Sequence, residues 1–401
     1  MNILLTTPVF KPMVGGMETL ADNFAVHFTK RGHRVTVVTP VAATEPDEAI
    51  YAIVRRPSPV TFLRLAKQAD IIFSNGASLL SAPWAILTGT PVVMRHTGYQ
   101  VNSIDGAGWY VGRPAPLRPL ASFRFHLRHG TLRNTLRGVV KVGLLRLFAK
   151  RGVAANVAIS DWMKTHHPLP NQLRIHNPFP ISKFQDVLTM SRPVEYDFFF
   201  LGRLISEKGV DVLLRALARL NTGKRRYRLC VIGDGPERRS LEALAQQLGV
   251  AADVHFAGMQ TKAKLLEFVA RARIAVLPST WEEPFGGVAT ELLAAGKNMI
   301  VSRNGALSEI VADAGLTFKN GHDEDLSRAM LRLVTDEDLQ QKQLEAAKER
   351  LRDFDEEALI DQYLKLFNAL LRPKPTTSPS LGTAHSTKTT GFNNFINHTT
   401  K

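Results

Sequence analysis

The chain has 401 residues, 44% hydrophobic and 22% charged, a globular balance that excludes a fibrous or wholly disordered protein and suffices for two domains of ordinary size. Its single cysteine, Cys230, excludes an internal disulfide framework and a cysteine-based zinc site, and fits a reducing, cytoplasmic setting. Lys and Arg number 51 against 36 Asp and Glu, so a formal charge of +15 calls for a polyanionic partner: a phosphate ligand, nucleic acid or anionic lipid.

The first residues, Met1-Asn2-Ile3-Leu4-Leu5-Thr6-Thr7-Pro8, carry no positive n-region and reach a proline before an apolar run forms, so no signal peptide is expected. Residues 3–6 read as a strand, 17–30 as a helix ended by Gly32, and 34–39 as a second strand. The uncharged stretch 71–94 is broken by Asn75, Gly76, Pro83, Gly89 and Pro91 into strand, loop, helix and strand, so no transmembrane helix is predicted. Strands at 69–73, 91–95 and 156–159 continue the pattern. This βαβα order predicts an α/β domain with a doubly wound parallel sheet over residues 1–180.

The basic excess is local. Residues 106–160 hold ten Lys and Arg and no Asp or Glu. Arg133, Arg137 and Lys141 recur at four-residue spacing, while Leu132, Leu136, Val139, Val140, Leu144 and Leu147 fill another helical face, which predicts a basic amphipathic helix or helix pair within 106–151. Such a segment is either a solvated face or a dock for anionic membrane. No nucleic-acid-binding signature accompanies it, so nucleic acid is not an expected partner.

Asn177-Pro178-Phe179-Pro180 interrupts the alternation, and a linker over 181–195 follows. The pattern then restarts, with strands at 197–201, 228–232, 254–256, 274–277, 299–302 and 316–318 predicting a second doubly wound domain over 196–355. Residues 323–372 read as mainly helical, with a closing helix over 356–372 that can cross back to the first domain. After Pro373 the chain turns to Thr, Ser, Asn and Gly and is expected to be disordered over 373–401.

The chemistry concentrates in the second domain. After the predicted strand 274–277 comes Thr280-Trp281-Glu282-Glu283-Pro284-Phe285-Gly286-Gly287-Val288, then an apolar helix carrying Glu291. Two glycines where a strand turns into a helix offer bare N–H groups and a positive dipole end to a phosphate. Alone they would be a packing turn. Beside them, Gly202-Arg203 and Glu207-Lys208-Gly209 deliver a guanidinium and an ammonium to the same sheet edge, and Gly233-Asp234-Gly235-Pro236-Glu237 closes another turn there. Carboxylates that accept paired hydroxyl hydrogen bonds suit sugar recognition.

These motifs, with Phe256-Ala257-Gly258, stand in an order and spacing that resembles glycosyltransferase family 4, retaining enzymes of the GT-B fold, in which two Rossmann-like domains face each other across a cleft. The likeness covers residues 1–370 and is tighter after residue 196; before it, Gly15-Gly16-Met17-Glu18, His96, Ser160 and Asn177 carry it. The resemblance implies a nucleoside-diphosphate sugar donor and a glycan or lipid-linked acceptor in bacterial surface-polysaccharide or glycolipid assembly. It implies that Glu291 binds ribose, Glu283 the sugar, Arg203 and Lys208 the diphosphate, and Gly286, Gly287 and Val288 its backbone cradle. Gly15 and Gly16 would approach from the first domain, and His96 would contact the sugar. No metal ion and no cofactor are expected. Pro284 departs from the glycine of many members, and the basic stretch lies where members differ most. A nucleotide-sugar epimerase of the same fold, or a basic lipid- or nucleic-acid-binding protein without turnover, shares these features.

Overall fold

Alternating apolar runs and amphipathic segments fold into two parallel sheets in the computed structural model, which describes residues 1–371 apart from 14, 44, 45 and 224. The segment 373–401, expected to be disordered, lies outside the described residues. The first domain supplies β1 (Asn2–Thr6), β2 (Arg34–Thr39), β3 (Ala52–Arg55), β4 (Ile71–Asn75) and β5 (Val92–His96). A two-residue hairpin, β6 (Trp109–Tyr110) and β7 (Arg113–Pro114), precedes β8 (Ala155–Ala158) and β9 (Gln172–Arg174). The second domain holds β10 (Tyr196–Leu201), β11 (Leu229–Ile232), β12 (Val254–Gly258), β13 (Ala272–Leu277), β14 (Asn298–Ser302) and β15 (Gly315–Phe318).

The strand orders are β3-β2-β1-β4-β5-β8-β9 and β12-β11-β10-β13-β14-β15, with parallel neighbours throughout. In each sheet the winding reverses beside the first strand, between β1 and β4 and between β10 and β13. Ligands of doubly wound sheets bind outside the carboxyl ends at such reversals. The loops leaving β1, β10 and β13 carry Gly15-Gly16, Gly202-Arg203 and Ser279–Gly287 respectively.

All eleven expected strands lie within two residues of their observed positions. The run expected at 69–73 begins later because Ala69 caps the preceding helix Pro59–Gln68. The edge strands β3 and β9 were not expected; they are short, and β3 is half-exposed, so neither carries a continuous apolar run. Residues 106–118 form a loop and the β6–β7 hairpin, and the helix pair follows as Pro119–His129 and Leu132–Arg151.

The helix Glu356–Leu371 leaves the second domain and covers the first. Tyr363 meets Phe24 edge-on at 4.9 Å between ring centroids, and Phe367 meets Phe28 at 5.6 Å. Elsewhere the domains touch through a shared apolar cluster that includes Tyr99, Met163 and Phe285, and through polar contacts. Tyr99 donates its hydroxyl to the Glu282 carbonyl at 2.8 Å, Ser160 to the Pro284 carbonyl at 2.8 Å, and Trp109 its indole N–H to Ser206 Oγ at 2.9 Å. Pro284, the departure from the family pattern, thus lies at a domain contact. No helix among the described residues is long and apolar enough to cross a membrane.

Candidate active site

Three strand-to-helix turns build the site. After β13 the loop reaches Gly286, whose φ of +125° and whose missing Cβ, which would sit 2.5 Å from Leu307 Cδ2, both require glycine. The helix Gly287–Ala294 starts there, leaving its first N–H groups free of intrahelical partners. After β10, Arg203 stands exposed with no acidic partner among the described residues. The following turn ends at Gly209, where a Cβ would lie 2.1 Å from the Pro278 carbonyl oxygen, so this turn presses directly on the loop after β13.

That close approach brings Lys208 Nζ to 2.6 Å from Glu283 Oε1. Ser279, itself buried, donates its hydroxyl to the same oxygen. The Glu283 backbone is held too, since its carbonyl accepts the Ala306 N–H at 2.8 Å. Glu283 is only 8% exposed and its charge is compensated by one cation and one hydroxyl. A cavity of about 580 Å³ opens in front of this pair. Its wall includes Gly15 and Gly16 from the first domain and Arg203, Lys208, Glu283, Gly286, Gly287 and Val288 from the second.

Two expected residues stand back from the cavity. His96 ends β5 but is 2% exposed, with Nε2 donating to Asn156 Oδ1 at 2.8 Å and Nδ1 unpartnered. Burial lowers its pKa to about 4, against a smaller opposing effect from Asn156, so the ring is neutral. His96, for which the resemblance implies a sugar contact, thus does not line the cavity. Glu291 lies one turn into its helix, and its carboxylate has no hydrogen-bond or ion-pair partner among the described residues. Burial raises its pKa to about 7.

Ser279, Asp234 and Met259 also line the cavity. Asp234 lies in a motif visible in the sequence; Ser279 carries only the weak signal of a polar residue just beyond a strand end. Phe179, from the proline-rich crossing, sits between the two glycine helix starts. A Cβ on Gly16 would lie 3.8 Å from its ring and one on Gly287 2.8 Å. A single aromatic side chain thereby spaces the two walls.

Paired doubly wound domains with a phosphate-suited cleft between their switch points define a GT-B architecture. The sequence comparisons agree with it: residues 191–350 match the family model for glycosyl transferases group 1, and residues 14–168 that for glycosyltransferase family 4. The chain belongs to glycosyltransferase family 4. It is 34% identical over 169 residues to the lipopolysaccharide core biosynthesis glycosyltransferase LpsE of Rhizobium meliloti, covering 41% of this chain and 48% of that one. It is 32% identical over 221 residues to LpsD of the same organism, covering 54% and 61%. The matched part thus spans about half of each relative's length. Among solved structures, Anabaena Alr3699/HepE in complex with UDP superposes with a TM-score of 0.70 at 18% identity, covering 92% of this chain and all of that one, a likeness of fold.

Proposed function

We propose that this chain transfers a sugar, with retention of anomeric configuration, from a nucleoside-diphosphate donor to a glycan or lipid-linked acceptor, on the cytoplasmic side of a bacterial membrane in surface-polysaccharide or glycolipid assembly. The observation that carries this reading is the convergence of Arg203, the Lys208–Glu283 pair and two glycine helix starts on one interdomain cavity. The diphosphate lies against Gly286, Gly287 and Val288, with Gly15 and Gly16 closing from the other domain. Arg203 makes the forked contact and Lys208 the point-charge contact. As the bond from the anomeric carbon to the phosphate oxygen breaks, these cations take up the developing charge, so neither a metal ion nor a cofactor is required. The new bond forms on the same face of the sugar, and the acceptor hydroxyl passes its proton to the departing phosphate. Glu283 holds the sugar hydroxyls, and Glu291 receives from ribose the donors its carboxylate lacks.

The test begins with a donor panel led by UDP-glucose, since the HepE structure holds UDP. Arg203→Ala and Lys208→Ala each lower turnover by at least about a hundredfold. Near-parental turnover in both folded variants overturns the assignment. Activity persists in excess chelator; complete loss with EDTA, restored by magnesium or manganese, overturns the metal-free reading.

A further inference from the structure

The Leu132–Arg151 helix has two apolar faces, and only one is used by the fold. Leu145, Phe148 and Ala149 are buried in the first domain's core, and Val142 is buried on the same side of the helix. Leu132, Leu136, Val139, Val140, Leu144 and Leu147 are instead 64, 52, 39, 61, 52 and 49% exposed. At 100° per residue these six fall in a stripe about 140° wide on the opposite side of the helix, and about 24 Å long. The neighbouring helix Pro119–His129 adds exposed Leu120 and Leu127. Arg133, Arg137 and Lys141 are exposed along one edge of the stripe, and no Asp or Glu occurs anywhere in residues 106–160.

A partner must therefore take up aliphatic side chains and positive charge together. A second copy would bring the same basic edge against itself and be repelled. Nucleic acid would neutralise the cations but leave the leucines without a purpose. An anionic bilayer interface answers both, with headgroups for the basic edge and the acyl boundary for the stripe. Since the helix is not apolar enough to span, it would lie in the plane of the surface.

We infer that the Leu132–Arg151 helix docks on anionic membrane, with Leu136, Val140 and Leu144 inserted below the headgroups and Arg133, Arg137 and Lys141 among them. This rests on no step of sugar transfer. The docking face lies on the first domain, across the cleft from the second-domain residues proposed to hold the diphosphate, so a lipid-linked acceptor would be met at the surface that holds it.

The full-length protein is sedimented with vesicles of phosphatidylglycerol and phosphatidylcholine, or of phosphatidylcholine alone, at low and high salt. The parent pellets with the anionic vesicles only. R133E/R137E/K141E lowers the partition at least about tenfold at low salt. L136S/V140S/L144S lowers it at least about tenfold as well, and because these side chains are solvent-facing, its melting temperature stays within a few degrees of the parent. Val140→Trp adds blue-shifted emission on anionic vesicles that brominated acyl chains quench. A parent that stays in the supernatant with anionic vesicles at low salt overturns the proposal. Parental binding by the serine variant leaves mere electrostatic adsorption and overturns insertion. A dimer in the ultracentrifuge that the serine substitutions abolish assigns the stripe to a second copy instead. No sugar donor is present in these measurements, so their failure leaves the transfer reading untouched.

Discussion

Glu283 and Glu291 are eight residues apart and meet opposite surroundings. Glu283 is held by Lys208 and Ser279, whereas Glu291 is half-buried with no hydrogen-bond donor among the described residues, and desolvation raises its pKa to about 7. A raised carboxyl pKa means that the folded protein binds a proton more tightly than the unfolded chain. Glu291 therefore costs nothing below about pH 4.5, its ordinary value, and its penalty grows as pH climbs through about 7. Glu291→Gln removes that penalty: urea denaturation gives equal stability near the acid end of this window and a gain of roughly 1–3 kcal/mol for the variant above it. A pH-independent difference would show that Glu291 is solvated. On the ligand side, Glu291→Ala weakens binding of the nucleoside diphosphate, while Glu283→Ala lowers turnover with a smaller effect on that affinity. Parental affinity in Glu291→Ala, measured by calorimetry, refutes the ribose role. The sequence made Arg203, Lys208, Glu283 and Gly286 legible because each closely follows a strand end. It could not reveal the Lys208–Glu283 pair or Ser279, since these depend on how closely Gly209 approaches the Pro278 carbonyl, a distance absent from any local pattern.

At the level of elements, the Leu132–Arg151 helix contains two glycines with opposite surroundings. A Cβ on Gly138 would lie 2.3 Å from Ile104 Cγ2, while one on Gly143 would meet nothing within 4 Å. Gly138→Ala should cost about 1–3 kcal/mol, because Ile104 or the helix must shift. Gly143→Ala should instead stabilise by roughly 0.5–1 kcal/mol, by lowering the backbone entropy lost in an exposed helix interior. Denaturant midpoints decide the pair, and equal signs would place the helix differently against the 101–105 loop. This helix also marks how far periodicity carries. Spacing correctly grouped Leu132, Leu136, Val140 and Leu144 on one face, but period alone does not say which of two apolar faces turns inward. Burial was settled by Leu145, Phe148 and Ala149, which pack in one cluster with Val92 and Met94 of β5. Long central strands were legible for a related reason: buried on both sides, they read as continuous apolar runs. The edges β3 and β9 were not.

The two domains are held in register by contacts that single-domain reasoning cannot anticipate. Glu309, on the helix Leu307–Val311 of the second domain, accepts the backbone N–H groups of Asp161 and Trp162 at 2.8 and 2.7 Å and lies 3.2 Å from His176 Nε2. These partners all belong to the first domain. Burial alone would raise the Glu309 pKa, but the His176 hydrogen bond and the two N–H groups outweigh it, so the pKa lies below its usual value. A lowered carboxyl pKa stabilises the closed arrangement above about pH 4.5, and this contribution disappears as pH falls below that value. His176 is pushed below 6.5, chiefly by burial, so protonating it in acid also works against closure. Glu309→Ala leaves two helix-start N–H groups and a buried imidazole unpaired, at about 1–3 kcal/mol for each group left without a partner. Both domain cores stay intact because Glu309 lies outside them. The expected result at neutral pH is an open molecule. Its radius of gyration by small-angle scattering exceeds the parent's, and its KM for the donor rises at least about tenfold because Gly15 and Gly16 no longer face Gly286 and Gly287. The parent should reach the same expanded profile in mild acid, before either domain unfolds. Superimposable scattering curves for parent and variant would mean that the other interdomain contacts, including Tyr99, Ser160, Trp109, Phe179 and the Glu356–Leu371 helix, fix the two domains, and that Glu309 contributes nothing to closure.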